Sequence, residues 1–169
     1  LVRCWGFLRR SGRIPDGVTL DRARNASGWS RVRFDDAAET IAFATPGLEI
    51  NLGSIGKGYA LDQAAHLLRH EWGITSALLH GGYSSVYAIG SVPGSADGWP
   101  INLTHPWQRE RSLGTVRLYD QGLGTSAARY KHLVHEGQRL GHILDPRTGW
   151  PAEGMASVTV VAPTAARAD

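Results

Sequence analysis

The chain predicts an α+β fold of mostly antiparallel and mixed sheets with one dominant helix, organised as a single domain over residues 1–169. Three observations lead there. Short runs that alternate apolar and polar residues recur between turn signals, as in residues 29–34 and 40–44. Only residues 57–72 hold a sustained period of three to four, the mark of an amphipathic helix. The 21 glycines among 169 residues imply many tight turns.

Taken in order, residues 1–28 are rich in Arg and Gly without a strong period, and Ile14-Pro15-Asp16-Gly17 reads as a turn before a short helix. Residues 29–34 and 40–44 flank Asp35-Asp36 as a hairpin would. Pro46-Gly47 marks a turn, after which 48–52 is extended. In 57–72, Leu61, Ala64, Ala65, Leu68 and Trp72 share one face and Asp62, His66, Arg69 and His70 the other, and Gly73 ends the helix. Residues 76–80 read as a buried strand, broken by Gly81-Gly82 and resumed over 84–89. A loop at 93–97 leads to strands at 99–103 and 114–119, followed by a turn region at Gly122 and Gly124. Residues 129–136 read as a short helix or a strand. Residues 157–162 have β character, and the Ala-rich end beyond them looks like a helix beginning.

Composition narrows the function classes. The 42% apolar and 20% charged residues belong to a globular chain. A net charge of +3 and a pI near 9.4 are mildly basic, but the positive residues are scattered among acids rather than gathered into a stripe with interleaved aromatics, which argues against nucleic-acid binding. Cys4 is the single cysteine, so no internal disulfide forms. No run approaches the roughly 18 apolar residues of a membrane span, and the opening Leu-Val-Arg-Cys-Trp-Gly-Phe is not a signal peptide. A start without Met and an end inside a helix are expected of a piece of a longer chain.

Two motifs carry chemistry. In Asn51-Leu-Gly-Ser-Ile-Gly-Lys-Gly-Tyr-Ala, glycines 53, 56 and 58 let the backbone turn sharply and present N–H groups to an anion, and Lys57 adds a positive charge at the mouth of the helix. The spacing is not that of a P-loop, which needs four residues before its Gly-Lys and a Ser or Thr after it; the alternative is a glycine-lined turn with a solvated lysine. In His142-Ile-Leu-Asp145-Pro146-Arg147-Thr148-Gly149, Asp-Pro and Thr-Gly stiffen a turn and leave His142 at a strand end, where it can donate to a phosphate or move a proton near neutral pH. Together they point to a site for a phosphate-bearing ligand assembled from distant loops.

Other constellations are weaker. His80-Gly81-Gly82 is half of an esterase oxyanion loop, and Gly124-Thr125-Ser126-Ala127-Ala128 is a degraded nucleophile elbow, but no histidine follows Asp145 to complete a hydrolase triad. Asp62, His66 and His70 could chelate a metal on one helix face, although they also form the ordinary polar side of the helix. His105, His132 and His135 read as surface residues, and the tryptophans as packing.

The segments 51–59, 80–82, Thr125-Ser126, 142–149 and 157–169 match in order and spacing a pattern that resembles the ApbE family of FAD:protein FMN transferases. That pattern runs Asp-Leu-Gly-Gly-Ile-Ala-Lys-Gly-Tyr, Ala-Gly-Gly-Asp, Thr-Ser-Gly, His-Ile-Ile-Asp-Pro-Arg-Thr-Gly, then a strand and Ala-Asp. The resemblance extends along essentially the whole chain and implies an ApbE-like, T-fold-related architecture. It also implies an enzyme that takes FAD as substrate, cleaves its pyrophosphate with Mg2+, and attaches FMN by a phosphoester to a Thr or Ser hydroxyl of an acceptor protein. Carried over by position, it places Asn51, Lys57, Gly81, Gly82, Thr125, Ser126, His142 and Ile143 at FAD. Ser54, through its backbone carbonyl, and Asp169 would be metal ligands, and His142 the acid/base or phosphate-contacting group. The family further implies an exported bacterial envelope protein on the periplasmic side, with a lipid anchor as its tie to the membrane.

The chain departs from that pattern at three places. Asn51 stands for the family's Asp, Tyr83 for the Asp after Gly81-Gly82, and Ala127 for the glycine after Thr125-Ser126. The family's N-terminal portion before Leu1, and a second metal-binding side chain a few residues beyond Asp169, are both expected in a longer protein. The first two departures motivate an alternative, a flavin-binding protein without catalysis; an FAD pyrophosphatase releasing FMN and AMP is another.

Overall fold

The computed structural model describes residues 1–9, 12–108, 110–127 and 132–169, the side chains of Arg9, His132 and Gln138 apart. In chain order the elements begin with α1 (Gly17–Asn25), β1 (Val32–Asp35), β2 (Thr40–Phe43), α2 (Gly56–His70), β3 (Ala77–His80), β4 (Ser85–Ile89) and β5 (Trp99–Thr104). They continue with β6 (Ser112–Leu118), β7 (Gly122–Ala127), β8 (His132–His135), β9 (Gln138–Gly141), β10 (Ser157–Ala162) and α3 (Ala165–Ala168). Every strand pairing among the described residues is antiparallel, and α2 is the one long helix, so the α+β expectation holds. The elements fall into two compact units, Leu1–Ile50 with Ala128–Met155 and Asn51–Ala127 with Ala156–Asp169.

The first unit has an aromatic core. Trp5 is fully buried and packs with Cys4, Phe7 and Leu20, against Ile14, Leu133, Leu140 and Leu144. Its ring stacks on Phe7 at 6.1 Å and meets the edge of Trp150 at 5.1 Å. Helix α1 supplies Leu20 and starts at Asp16, whose carboxylate accepts from the Thr19 N–H and hydroxyl, both at 2.8 Å. The expected hairpin is present, but it begins later than residue 29: Gly28 has φ 126°, and Trp29–Arg31 make a 3-10 turn before β1 pairs with β2. The extended reading of 48–52 is not met by a strand; Leu52–Ser54 coil into a 3-10 turn. Within 129–136, His132–His135 is strand β8, paired with β9, and residues 129–131 lie outside the described residues.

Strand β9 ends at Gly141 and hands the chain directly to His142, as the turn chemistry predicted. The turn is built around Asp145. Its carboxylate accepts from the Arg147 backbone N–H at 2.9 Å and from the guanidinium at 2.6 to 3.1 Å. These bonds and the adjacent positive charge lower its pKa to about 2. Gly149 closes the turn at φ 76°; a Cβ there would come within 2.9 Å of Leu20 and Arg24 side-chain atoms. Its carbonyl accepts the Trp5 indole N–H at 2.8 Å, so the turn is tied to the core.

The second unit is a four-stranded sheet, ordered β10-β7-β4-β3, with the β5–β6 hairpin and with α2 and α3 packed alongside. Val86, Ala88, Leu118 and Leu123 form its core, with Leu78, Trp99, Ile101, Leu103 and Val116 around them. Helix α2 buries Leu61 and Ala65 as its periodicity predicts, and Gly58 besides; Ala64 and Leu68 are half-buried, but Trp72 is 71% exposed. The helix has already ended at His70, and Gly73 turns the chain at φ 62°, so Trp72 lies past the point where helical spacing assigns a face.

Gly122 and Gly124 are not a turn but part of strand β7. They are small because α3 lies against them. A Cβ on Gly122 would sit 2.4 Å from Ala165, one on Gly124 2.3 Å from the Ala168 carbonyl, and one on Gly58 2.3 Å from the Ala165 carbonyl. The α3 N-terminus is capped from α2, where the Asp62 carboxylate accepts the Ala165 and Ala166 N–H groups at 2.7 and 2.9 Å.

Gly122→Ala should cost about 1–3 kcal/mol in urea denaturation because backbone, not a flexible side chain, must give way. Gly56→Ala, where a Cβ meets nothing within 4 Å, should stay within about 0.5 kcal/mol. The depressed Asp145 pKa means its contribution is complete above the ordinary value of 3.8 and is lost as pH falls through about 2. A carboxyl NMR titration should therefore show a midpoint near 2, moving up toward the ordinary range in Arg147→Ala.

Candidate functional site

The second unit gathers a charged cluster at the start of α2. Strand β3 ends at His80, and the chain reverses through Gly81, whose N–H donates to the Ser85 carbonyl at 2.8 Å, and Gly82 at φ 82°. This tight return leaves Tyr83 fully exposed and delivers Ser84 and Ser85 to the head of β4. Ser84 is anchored through its carbonyl, which accepts the Thr125 N–H at 2.7 Å. Ser85 lies opposite Gly124 in the β4–β7 register and is 0% exposed. A hydroxyl buried that completely needs partners.

Those partners are Lys57 and Asp169. The Lys57 Nζ lies 2.9 Å from Ser84 Oγ, 2.6 Å from Ser85 Oγ, and 3.3 and 3.5 Å from the two Asp169 carboxylate oxygens. An ammonium only donates, so both serine hydroxyls accept there, and the Ser85 hydroxyl in turn donates to Asp169 Oδ1 in a short contact. The Gly58 N–H donates to Asp169 Oδ2 at 2.9 Å. The Asp169 side chain is 6% exposed and that of Lys57 44%, so the acid is the buried partner and the ammonium sits on the solvent side. A carboxylate this buried is tolerable only when paired and hydrogen-bonded. The first turn of α2 adds its N-terminal dipole to the same end.

Around this cluster, Asn51 caps the 3-10 turn by accepting the Gly53 N–H at 2.7 Å, and Ser54 closes that turn in an exposed position. The Gly58 N–H is the donor that a helix extended one residue backward would return to the Ser54 carbonyl; it goes to Asp169 instead, and the first bond of α2 is Tyr59 N–H to the Ile55 carbonyl. Thr125 is half-buried and shares a 3.0 Å hydroxyl contact with Thr159 across the β7–β10 ladder, whereas Ser126 is exposed. His142 and Ile143 belong to the first unit. There the half-buried His142 imidazole meets Phe7 edge-on at 6.5 Å, and the Ile143 carbonyl accepts the Ala152 N–H at 2.8 Å.

The structure thus brings Lys57 and Asp169 together with two serines that sequence reasoning missed. The sequence carried only half of a signal: Ser85 precedes the apolar Val86, Ala88 and Ile89, but its need for a partner shows only once that strand is seen to be buried. The alternative metal set on α2 is dismantled. Both Asp62 oxygens are used on α3, and His66 and His70 remain a ring pair 4.3 Å apart. Among the described residues no group of three or more His, Cys, Asp or Glu side chains is placed to hold a metal. What Lys57, Asp169 and the serines offer is an all-oxygen donor set beside one ammonium, suited to a hard cation and to phosphate oxygens.

Comparison with known proteins finds relatives that match along the whole chain. The family model described as the ApbE family matches residues 1–169. Among curated relatives, the FAD:protein FMN transferase of Salmonella typhimurium is 33% identical, covering 100% of the chain and 49% of its own length. The Escherichia coli K12 protein of the same name is 30% identical with the same coverage. The chain spans about half the length of these relatives. Among solved structures, the ApbE protein of Thermotoga maritima superposes with a TM-score of 0.86 at 32% identity, over 99% of this chain and 53% of its own. The apo flavinyl transferase ApbE of Pseudomonas stutzeri gives 0.81 at 29%, over 99% and 51%. The chain belongs to the ApbE family.

Proposed function

We propose that the protein containing this chain transfers FMN from FAD to a Thr or Ser hydroxyl of an acceptor protein in a Mg2+-dependent reaction. The observation that carries this reading is the Lys57–Ser85–Asp169 cluster at the head of α2, a buried carboxylate beside an accessible ammonium. The names of the relatives support it.

The donor set fits magnesium. Asp169 supplies a carboxylate, and the Ser54 carbonyl, which receives no bond from the Gly58 N–H, is the second candidate ligand. When bound, the ion would neutralise phosphate oxygens and draw charge from the scissile bond. Lys57 and the N–H groups at the start of α2 bind the same anionic pyrophosphate, holding it in place as charge redistributes. Asn51, Gly81, Gly82, Thr125, Ser126 and Ile143 complete the FAD contacts in this reading. His142 takes the proton from the acceptor hydroxyl as its oxygen bonds to the FMN phosphorus; the pyrophosphate bond breaks, and AMP leaves. Asn51 keeps the turn that the family's Asp would make, because its carboxamide oxygen still accepts the Gly53 N–H. We also propose, on the family resemblance alone, a location at the bacterial envelope on the periplasmic side, with a lipid anchor as the tie to the membrane.

The test uses the full-length protein with FAD, Mg2+ and a Thr-bearing acceptor, read by intact mass and by AMP release. A gain of one FMN on the acceptor that disappears with a chelator is expected. FAD bound but intact would replace this reading with a non-catalytic flavin-binding one, and free FMN with AMP would indicate a pyrophosphatase. Lys57→Ala should weaken FAD binding and lower kcat/KM by about 10²–10³-fold. His142→Ala should act mainly on the chemical step, slowing transfer by about 10²–10⁴-fold.

A further inference from the structure

Lys57 is fully committed before any ligand arrives. Its ammonium has three protons, and the structure gives it three acceptor groups: Ser84, Ser85 and the Asp169 carboxylate. It cannot reach a phosphate without releasing at least one of them. Asp169, 6% exposed, carries a buried negative charge for which Lys57 is the cation at hand. A divalent ion approaching that carboxylate therefore meets a positive charge already seated on it.

Resting on the function proposed above, we infer that Lys57 is a built-in counter-ion that keeps the Asp169 site weak for metal until a pyrophosphate-bearing ligand draws the ammonium away. Metal and dinucleotide then bind synergistically, each removing the obstacle to the other. The half-exposed Lys57 side chain has room to move toward solvent, whereas the buried Asp169 does not. Ser85 is the positioning residue in this exchange. Its hydroxyl proton and the Gly58 N–H hold the two Asp169 oxygens, one each, and neither bond needs Lys57. The carboxylate thus stays aimed while its counter-ion is replaced.

The test is Mn2+ binding to the full-length protein, followed by electron paramagnetic resonance of free Mn2+, with and without ADP as an unreactive pyrophosphate probe and with correction for Mn2+ held by ADP alone. Lys57→Met should bind Mn2+ about 10-fold tighter than wild type without ADP, within the usual range of coupling between sites. ADP should tighten wild type by a similar factor while changing Lys57→Met little. Lys57→Gln, neutral but able to keep a hydrogen bond to Ser85, should behave like Lys57→Met and serves if that variant does not fold. Ser85→Ala should weaken Mn2+ binding with and without ADP alike. Equal Mn2+ affinity in wild type and both Lys57 variants would overturn the counter-ion role and leave the proposed function standing. Unchanged affinity in Ser85→Ala would remove Ser85 as a positioning residue. No Mn2+ binding by any of these proteins, even with FAD, would remove the metal from the proposed function and this inference with it.

Discussion

The close approach of α3 to α2 and β7 is the constraint on which the charged cluster depends. Three glycines, 58, 122 and 124, leave room for the α3 backbone, and at each a single added carbon would fall within 2.4 Å of an α3 backbone atom. Asp62 fastens the helix from the other side by accepting its first two N–H groups. The glycine contacts and the Asp62 cap together hold the start of α3 against α2 and β7. Its stability and the placement of Asp169 are consequently one quantity. The carboxylate reaches Lys57, Ser85 and the Gly58 N–H because the backbone carrying it is pressed against glycine.

Seen from the charges, the same arrangement distributes burial unevenly. The acid is enclosed and the base half open, unlike a structural ion pair sealed in a core. Sequestered pairs are commonly held by Arg, whose planar fork fixes two contacts at once; a lysine on a flexible stem is easier to recruit away. Ser84 and Ser85 fit that arrangement by offering neutral acceptors, which stabilise the ammonium in its resting place without binding it as a second carboxylate would.

Local pattern made much of the fold legible. The period of α2, the alternation in the β1–β2 hairpin, and the Asp-Pro and Thr-Gly turn that sets His142 at the end of β9 are all decided by neighbours within a few residues. What escaped was decided at long range. Asp62 looks like any acid on a helix's polar face until α3, 103 positions away, is laid against it. Gly122 and Gly124 carry the composition of a turn, because sequence does not distinguish a glycine needed for its φ from one needed for its missing side chain. Lys57 and Asp169 were recognisable one at a time through family resemblance. Their shared partner Ser85 was not, since a serine at the head of a strand acquires meaning only once its burial is known.

The bond from the Trp5 indole to the Gly149 carbonyl gives the segment after His142 an unusual status for a surface turn. Ordinary loops open locally, at little free energy, while the body of a protein stays folded. Here the turn is closed by Asp145 on one side and tied to a fully buried tryptophan on the other. Opening it at Gly149, which is buried and whose N–H donates to the Asp145 carbonyl at 2.7 Å, therefore means giving up a bond to the aromatic core. A histidine at the foot of such a turn is held by the thermodynamics of an interior, although the sequence around it reads as a loop.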